Sequence, residues 1–487
     1  MAGEHDQRDP RAHAHPGLRE LFSYPLMSAI FDRRTRRVAR GTSIVSGPIS
    51  YSSPNKPAPL SPLEEAVLVV STGLTGSTTM HDVPAKNQDG SDRFSAPLIN
   101  IISRSASSID NAHAVSFFLI NDEGTWLIKH ARNQEALSLL SQLPPRWEDW
   151  SETDWLSAAR NVKHKLYSER LDFPRHWPYY FIWNRQISNR PGTTILLPIV
   201  DLTRQFINVI ISLLSEEDGQ RPLFVDDWQR FRPRTLLDLG AWFGSLLGFI
   251  PNISYQLIGG ASRARGKWLN TDAPAPIGYA NTLRTDYETF FQLQNLMLIA
   301  QGMGLGAWIH AAVGAPYVFE RDPANGKFGI EFRMQKAKTI PRWRRSPPLP
   351  TTLDNPIGID GVLESLTPPY VKSMNDAVDR VIEEKYGPAG TYGDHAIFDR
   401  AYKKGEYGDA FLKMASRRPT PQAVEYAKEI CNYIYDTYGR FPAHVNAFHV
   451  PGVWLQFSHL ELEFYDKYFD AGLYQRQAAH DQLWGDH

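Results

Sequence analysis

The chain has a single cysteine, Cys431, among 487 residues, so no intramolecular disulfide and no cysteine-based zinc site can hold the fold together. Burial of apolar side chains must do that work. The length is ample for it, equivalent to about two to four domains. Cys431 falls in a strongly helical run, Tyr426 to Tyr438, where a buried bystander is expected rather than a nucleophile. The composition, 42% hydrophobic and 22% charged, is that of a globular chain and not of a disordered one. The net charge of -1 provides no global field to draw the chain onto nucleic acid or an anionic membrane. Met1 to Arg19 is polar and lacks the apolar region of a signal peptide. The longest apolar runs, Phe206 to Leu214 and Leu236 to Ile250, are too short to span a bilayer. The expectation is a cytoplasmic protein with neither a membrane nor a nucleic-acid partner.

Periodicity and cap signals predict a mixture of strands and helices. Phe22 to Ile30 reads as a helix. Ser61-Pro62-Leu63-Glu64 reads as a capping box with proline in the first turn, opening a helix through Val70 that stops near Gly73. Val115 to Ile120, a turn at Asn121 to Gly124, and Thr125 to Ile128 read as two strands of a hairpin. Thr193 to Val200 reads as a strand and Leu202 to Leu214 as a buried helix. Thr285-Asp286-Tyr287-Glu288 is a second capping-box pattern, expected to open a helix whose Phe290, Leu293, Leu296, Met297, Ala300 and Met303 share an apolar face. Thr420-Pro421 opens a third helix with a clear cap, ending at Gly439.

Three separated segments have the chemistry of a cofactor site. Arg33-Arg34-Thr35-Arg36-Arg37 offers guanidinium groups and a hydroxyl suited to a phosphate, although a solvated basic turn would have the same composition. Ser105 to His113 brings small hydroxyl residues and Asn111 to the edge of a buried strand, where they could read a polar heterocycle or simply form a polar loop. Asn295 to Gly306 is a buried helix with a glycine-rich exit, which permits close backbone approach or merely caps the helix.

Taken in this order, the three segments resemble the nitroreductase superfamily, and especially its longer SagB-type, azoline-dehydrogenase-like branch. The resemblance implies an α+β fold: a nitroreductase-like core, with a central, mostly antiparallel sheet flanked by helices, a large insertion and a C-terminal helical extension. It divides the chain into a mobile tail (1–20), a flavin-binding core (21–140 and 250–340), an insertion (141–249) and an extension (341–487) that could act as a lid. It implies FMN as cofactor, with Arg33, Arg34, Thr35 and Arg37 at the phosphate and ribityl chain. Ser107, Ser108 and Asn111 would lie near the flavin ring, and Gly304 and Gly306 would mark the third element. The helix from Ser61 and Gly73-Leu74-Thr75-Gly76 are also similar to an element of the longer branch. The sequence departs from the family pattern at Ala106, Asp110 and His113. The implied activity is hydride transfer through the flavin to or from a small organic substrate (aromatic, nitro or halogenated), with NAD(P)H as reductant, in a homodimer with the flavin at the interface.

The residues themselves leave a competing site open. His444, His449, His459, Glu461, Glu463 and Asp466 crowd the C-terminal run, and imidazole and carboxylate are the usual ligands of zinc or iron. Structural histidines in an aromatic core are the plainer expectation, so no metal is assigned from sequence. His449 and His459 remain candidate proton donors toward a flavin-bound substrate. A metal-dependent hydrolase or oxygenase, or a non-catalytic protein with a degenerate core, are the alternatives.

Overall fold

The computed structural model describes residues 15–78, 89–91, 98–108, 111–182, 184–216, 277–319, 329–335, 355–393, 417–445, 453–469 and 475–485, together with positions 409 and 413. The expected apolar run Leu236 to Ile250 and His449 lie outside them, as does the whole of 217–276. The chain is a mixed α+β protein built on an antiparallel sheet.

Seven strands form that sheet: β1 (Val115–Asn121), β2 (Gly124–Ile128), β3 (Lys163–Tyr167), β4 (Thr194–Asp201), β5 (Gly306–His310), β6 (His444–Val445) and β7 (Trp454–Ser458). Their order is β3-β2-β1-β4-β7-β5, with β6 also paired to β4, and every pairing is antiparallel. The expected hairpin is present, with Asn121 opposite Gly124 across the turn. Two of the inner strands, β4 and β7, come from unexpected places. The 141–249 segment, expected as an insertion, supplies β4. The 341–487 segment, expected as a helical extension, supplies β6 and β7. Both are integral to the sheet: every residue of β4 and β7 is buried, whichever face it points to.

The helices used below are α1 (Pro16–Ser23), α2 (Leu26–Phe31), α3 (Pro62–Ser71), α4 (Glu152–Val162), α5 (Thr203–Glu216), α6 (Ile277–Met303), α7 (Met374–Tyr386), α8 (Pro421–Tyr438), α9 (Leu462–Tyr468), α10 (Gln475–Ala478) and α11 (His480–Trp484). Alternation along the strands divides the core into two layers. Phe117, Leu119, Leu196, Leu455 and Phe457 pack with α3, α4 and α6 on one face. Phe118, Ile120, Ile195, Leu197 and Trp454 face the opposite layer, built from Phe173, Tyr179, Tyr180 and Phe332. A third cluster joins α5, α7 and α8, and there Cys431 is fully buried, with burial pushing its thiol pKa up.

Three local expectations are corrected. The single helix Phe22 to Ile30 is two, because Pro25 cannot donate to the first and holds Tyr24 extended (ψ 124°). Residues 16–20, expected in a mobile tail, belong to α1, and Leu18 is fully buried. The capping-box pattern at Thr285 does not open a helix: α6 begins at Ile277, and Thr285 and Glu288 lie within it and are buried. The first box is real, with Ser61 Oγ accepting from Glu64 N and Glu64 Oε2 accepting from Ser61 N. Among the described residues, no helix is long and apolar enough to cross a membrane.

Candidate functional site

The arginine segment follows α2 and runs beside the segment 459–461. Ala39 pairs with Leu460, Arg40 N donates to His459 O at 3.0 Å, and Glu461 N donates to Val38 O at 2.9 Å. Tyr465 on α9 pins it, its hydroxyl accepting from Arg37 N at 2.7 Å and Val38 N at 3.0 Å. The Arg36 guanidinium lies over the Tyr465 ring. Arg37 lies 5.7 Å from the centre of the Trp308 ring on β5 and donates to Asn184 Oδ1 at 3.4 Å. Arg34 folds back onto the carbonyls of Phe31 and Arg33. Arg34, Thr35 and Arg37 are exposed and Arg33 is half-buried. The backbone is therefore fixed while the cationic heads of Arg34 and Arg37 face solvent.

The glycine exit of α6 meets this segment. A side chain on Gly306 would overlap Leu460 and lie 3.1 Å from Arg36 O. Gly304 has φ +86° and sits against the Arg476 carbonyl, 2.7 Å from where a Cβ would stand. Both glycines are thus required for close approach, but what approaches them is the chain's own backbone and side chains.

The third expected group is elsewhere. Ser108 Oγ donates to Glu288 Oε2 at 2.6 Å, and the other Glu288 oxygen accepts from Val115 N. Burial raises the Glu288 pKa. Asn111 is buried at φ +49°, its amide nitrogen donating to Asn100 O and its oxygen 2.5 Å from His113 Nε2. Burial, and then Arg104, pull the His113 pKa down to about 3. Ser107 is exposed. Glu288 precedes Gly304 by 16 residues, so Ser108 and the glycine exit lie about 24 Å apart along α6. Arg37, Gly306 and Trp308 come together in one chain; Ser107, Ser108 and Asn111 do not join them.

The C-terminal His/Glu run is likewise divided. His444 sits on β6, its ring 5.8 Å from that of Phe332. Glu461 holds Ser53 and Asn55, and Glu463 and Asp466 are exposed. Among the described residues His459 alone of this run enters a cluster, and its partners lie outside the run: Glu64 on α3 and His480 on α11. Glu64 Oε1 is 3.1 Å from His459 Nε2 and 2.8 Å from His480 Nε2. Each ring turns its other nitrogen to a main-chain carbonyl, His459 Nδ1 to Ala58 O at 3.0 Å and His480 Nδ1 to Met303 O at 2.9 Å. Burial opposes ionisation of Glu64, yet the imidazoles of His459 and His480 hold its carboxyl well below the usual carboxylate range. The sequence hid this cluster because the capping box accounts fully for Glu64, and His480 reads as an ordinary helix residue. The only signal was the unusual density of histidine near the C-terminus.

Compared with known proteins, the sequence matches no family model and no curated protein.

Proposed function

We propose that the chain is an FMN-dependent oxidoreductase, nitroreductase-like in its core, that works as a homodimer on a small organic substrate with NAD(P)H as reductant. The observation that carries this reading is the meeting of the exposed Arg37 with Trp308 on β5, where the arginine segment runs against the glycine exit of α6 at Arg36 O. Arg34 and Arg37 fit the phosphate end of the cofactor: they are exposed, and among the described residues their contacts are with carbonyls, an amide and a ring.

The ring end requires a second copy. Ser107, Ser108 and Asn111 are too far along α6 to serve the same flavin as Arg37 of their own chain. The surface beside the arginines suits such a partner. α2 ends two residues before Arg33 and packs on α6, and its Leu26, Met27, Ile30 and Phe31 are 65%, 60%, 46% and 64% exposed. α6 adds exposed Tyr287, Phe290 and Phe291. Apolar side chains concentrated in this way mark an interaction surface.

When bound, FMN would supply the redox chemistry. The chain's part is to neutralise the phosphate with Arg34 and Arg37, to hold the segment through Tyr465, and to orient the ring with main-chain donors. The purified protein should be yellow and release FMN. Arg34→Ala combined with Arg37→Ala should weaken FMN binding about 100-fold, since charge-assisted bonds contribute about 1.5–3 kcal/mol each. Unchanged flavin affinity in that double variant would remove the phosphate assignment. A colourless protein that takes up no added FMN would overturn the reading as a whole.

A further inference from the structure

We propose that Glu64, His459 and His480 form a buried binding site for one divalent transition-metal ion of the zinc class. Their three side chains are 0%, 2% and 3% exposed, and their ligand atoms all lie within 4.8 Å of one another. They come from three distant parts of the chain: the first turn of α3, the end of β7 and the start of α11.

The hydrogen bonds around the cluster assign the protons. A carbonyl oxygen only accepts, so the Nδ1 atoms facing Ala58 O and Met303 O must each bear hydrogen. In a neutral ring the remaining Nε2 then presents a lone pair. Both Nε2 atoms point toward the same carboxylate oxygen, Glu64 Oε1, at 2.8 and 3.1 Å. Two lone pairs directed at an anionic oxygen in a buried site repel one another unless positive charge, from a further proton or a bound cation, lies among them. Adding a second proton to each ring would remove the repulsion but leave two imidazoliums buried with one carboxylate. A metal ion draws on the same three lone pairs as ligands.

The outer contacts are those that metal-binding histidines need. Each ring donates its far N–H to a main-chain carbonyl, which fixes the tautomer and the ring plane. Glu64 is steadied in turn by Ser61 N, 2.6 Å from its other oxygen. Two imidazoles and one carboxylate suit zinc and, more weakly, iron(II). Tetrahedral ligand bonds of about 2.0–2.2 Å place neighbouring ligand atoms roughly 3.3–3.6 Å apart, so the two Glu64–histidine separations of 2.8 and 3.1 Å would open only slightly to admit an ion. Near-complete burial argues for a structural ion. It would tie α3 and the C-terminal segment together directly beneath Arg40, which bonds His459 through the main chain and pairs with Asp481 at 2.6 Å.

Elemental analysis of the full-length protein, purified without chelator or affinity metal, tests this. We expect about one zinc or iron per chain, and a fall of several degrees in Tm when a strong chelator strips it. His480→Gln should lose the metal. Because that variant could fail to fold, the wild-type chain is also stripped and reloaded with Co²⁺, whose visible spectrum reports ligation by nitrogen and oxygen. A wild-type protein that carries no stoichiometric metal, binds neither Zn²⁺ nor Co²⁺, and keeps its Tm in chelator would overturn the proposal.

Discussion

Gly73 shows how tightly single residues are specified near the first helix. A Cβ at this position would fall on the ring of His130, which is buried and bonded to Thr72 Oγ1 at 2.8 Å. Moving the ring aside would break that bond, so Gly73→Ala should cost about 1–3 kcal/mol of stability, as other overpacking changes do. Urea denaturation measures it, and a variant as stable as the parent would show that the ring moves aside. From sequence, Gly73 was readable as a helix stop, but the histidine 57 residues later that forbids a side chain was not. The same holds for Glu64 and Glu288. Both sit in local patterns of the capping-box type, yet only Glu64 caps. Glu288 instead reaches across to Ser108 and the backbone of Val115, and that tertiary use overrides the local signal.

At the level of elements, what the sequence showed best was what local chemistry decides. The helix opened by Thr420-Pro421 is closed by Gly439 at φ +70°, as expected. The hairpin of β1 and β2 and the strand β4 lie within a residue or two of their expected limits. The role of each strand was not legible, because strand order depends on which partner arrives and not on the strand's own pattern. α7 carries a further hidden feature. Lys385 is buried in it, donates to Asn208 Oδ1 on α5 at 2.6 Å, and has its pKa pulled down by burial to about 7. An unfolded lysine titrates near 10.5. Between pH 7 and 10.5 the unfolded chain therefore binds the additional proton, and stability rises with pH across that window. Lys385→Met should flatten the rise between pH 7 and 9 in denaturation experiments. An unaltered slope would place its origin elsewhere.

For the molecule as a whole, the proposed cofactor site and the assembly stand or fall together. If the ring-side residues come from a second copy, disrupting the α2 surface should abolish flavin retention without touching an arginine. Leu26→Asp with Phe31→Asp replaces two residues that are more than 60% exposed in the single chain, so the fold itself should tolerate the change. Sedimentation velocity should then find a dimeric, yellow parent and a monomeric, colourless variant. A monomeric parent that holds flavin would show that one chain completes the site. The expected separation into core, insertion and extension was the least legible feature, since β4 and β7, from the second and third of these, pair with each other inside one sheet.

That adjacency also sets a timetable for synthesis. Among the described residues the strand partner of β5 is β7 alone, and 144 residues separate His310 from Trp454. At roughly 5–20 residues per second, the ribosome needs about 7–30 s to deliver the second strand after the first. Throughout that interval Gly306–His310 presents an open edge, beside a half-built layer of apolar side chains. The nascent chain is therefore a natural client for chaperones, and its yield in a foreign host will depend on how well they shield that edge until Trp454–Ser458 arrives.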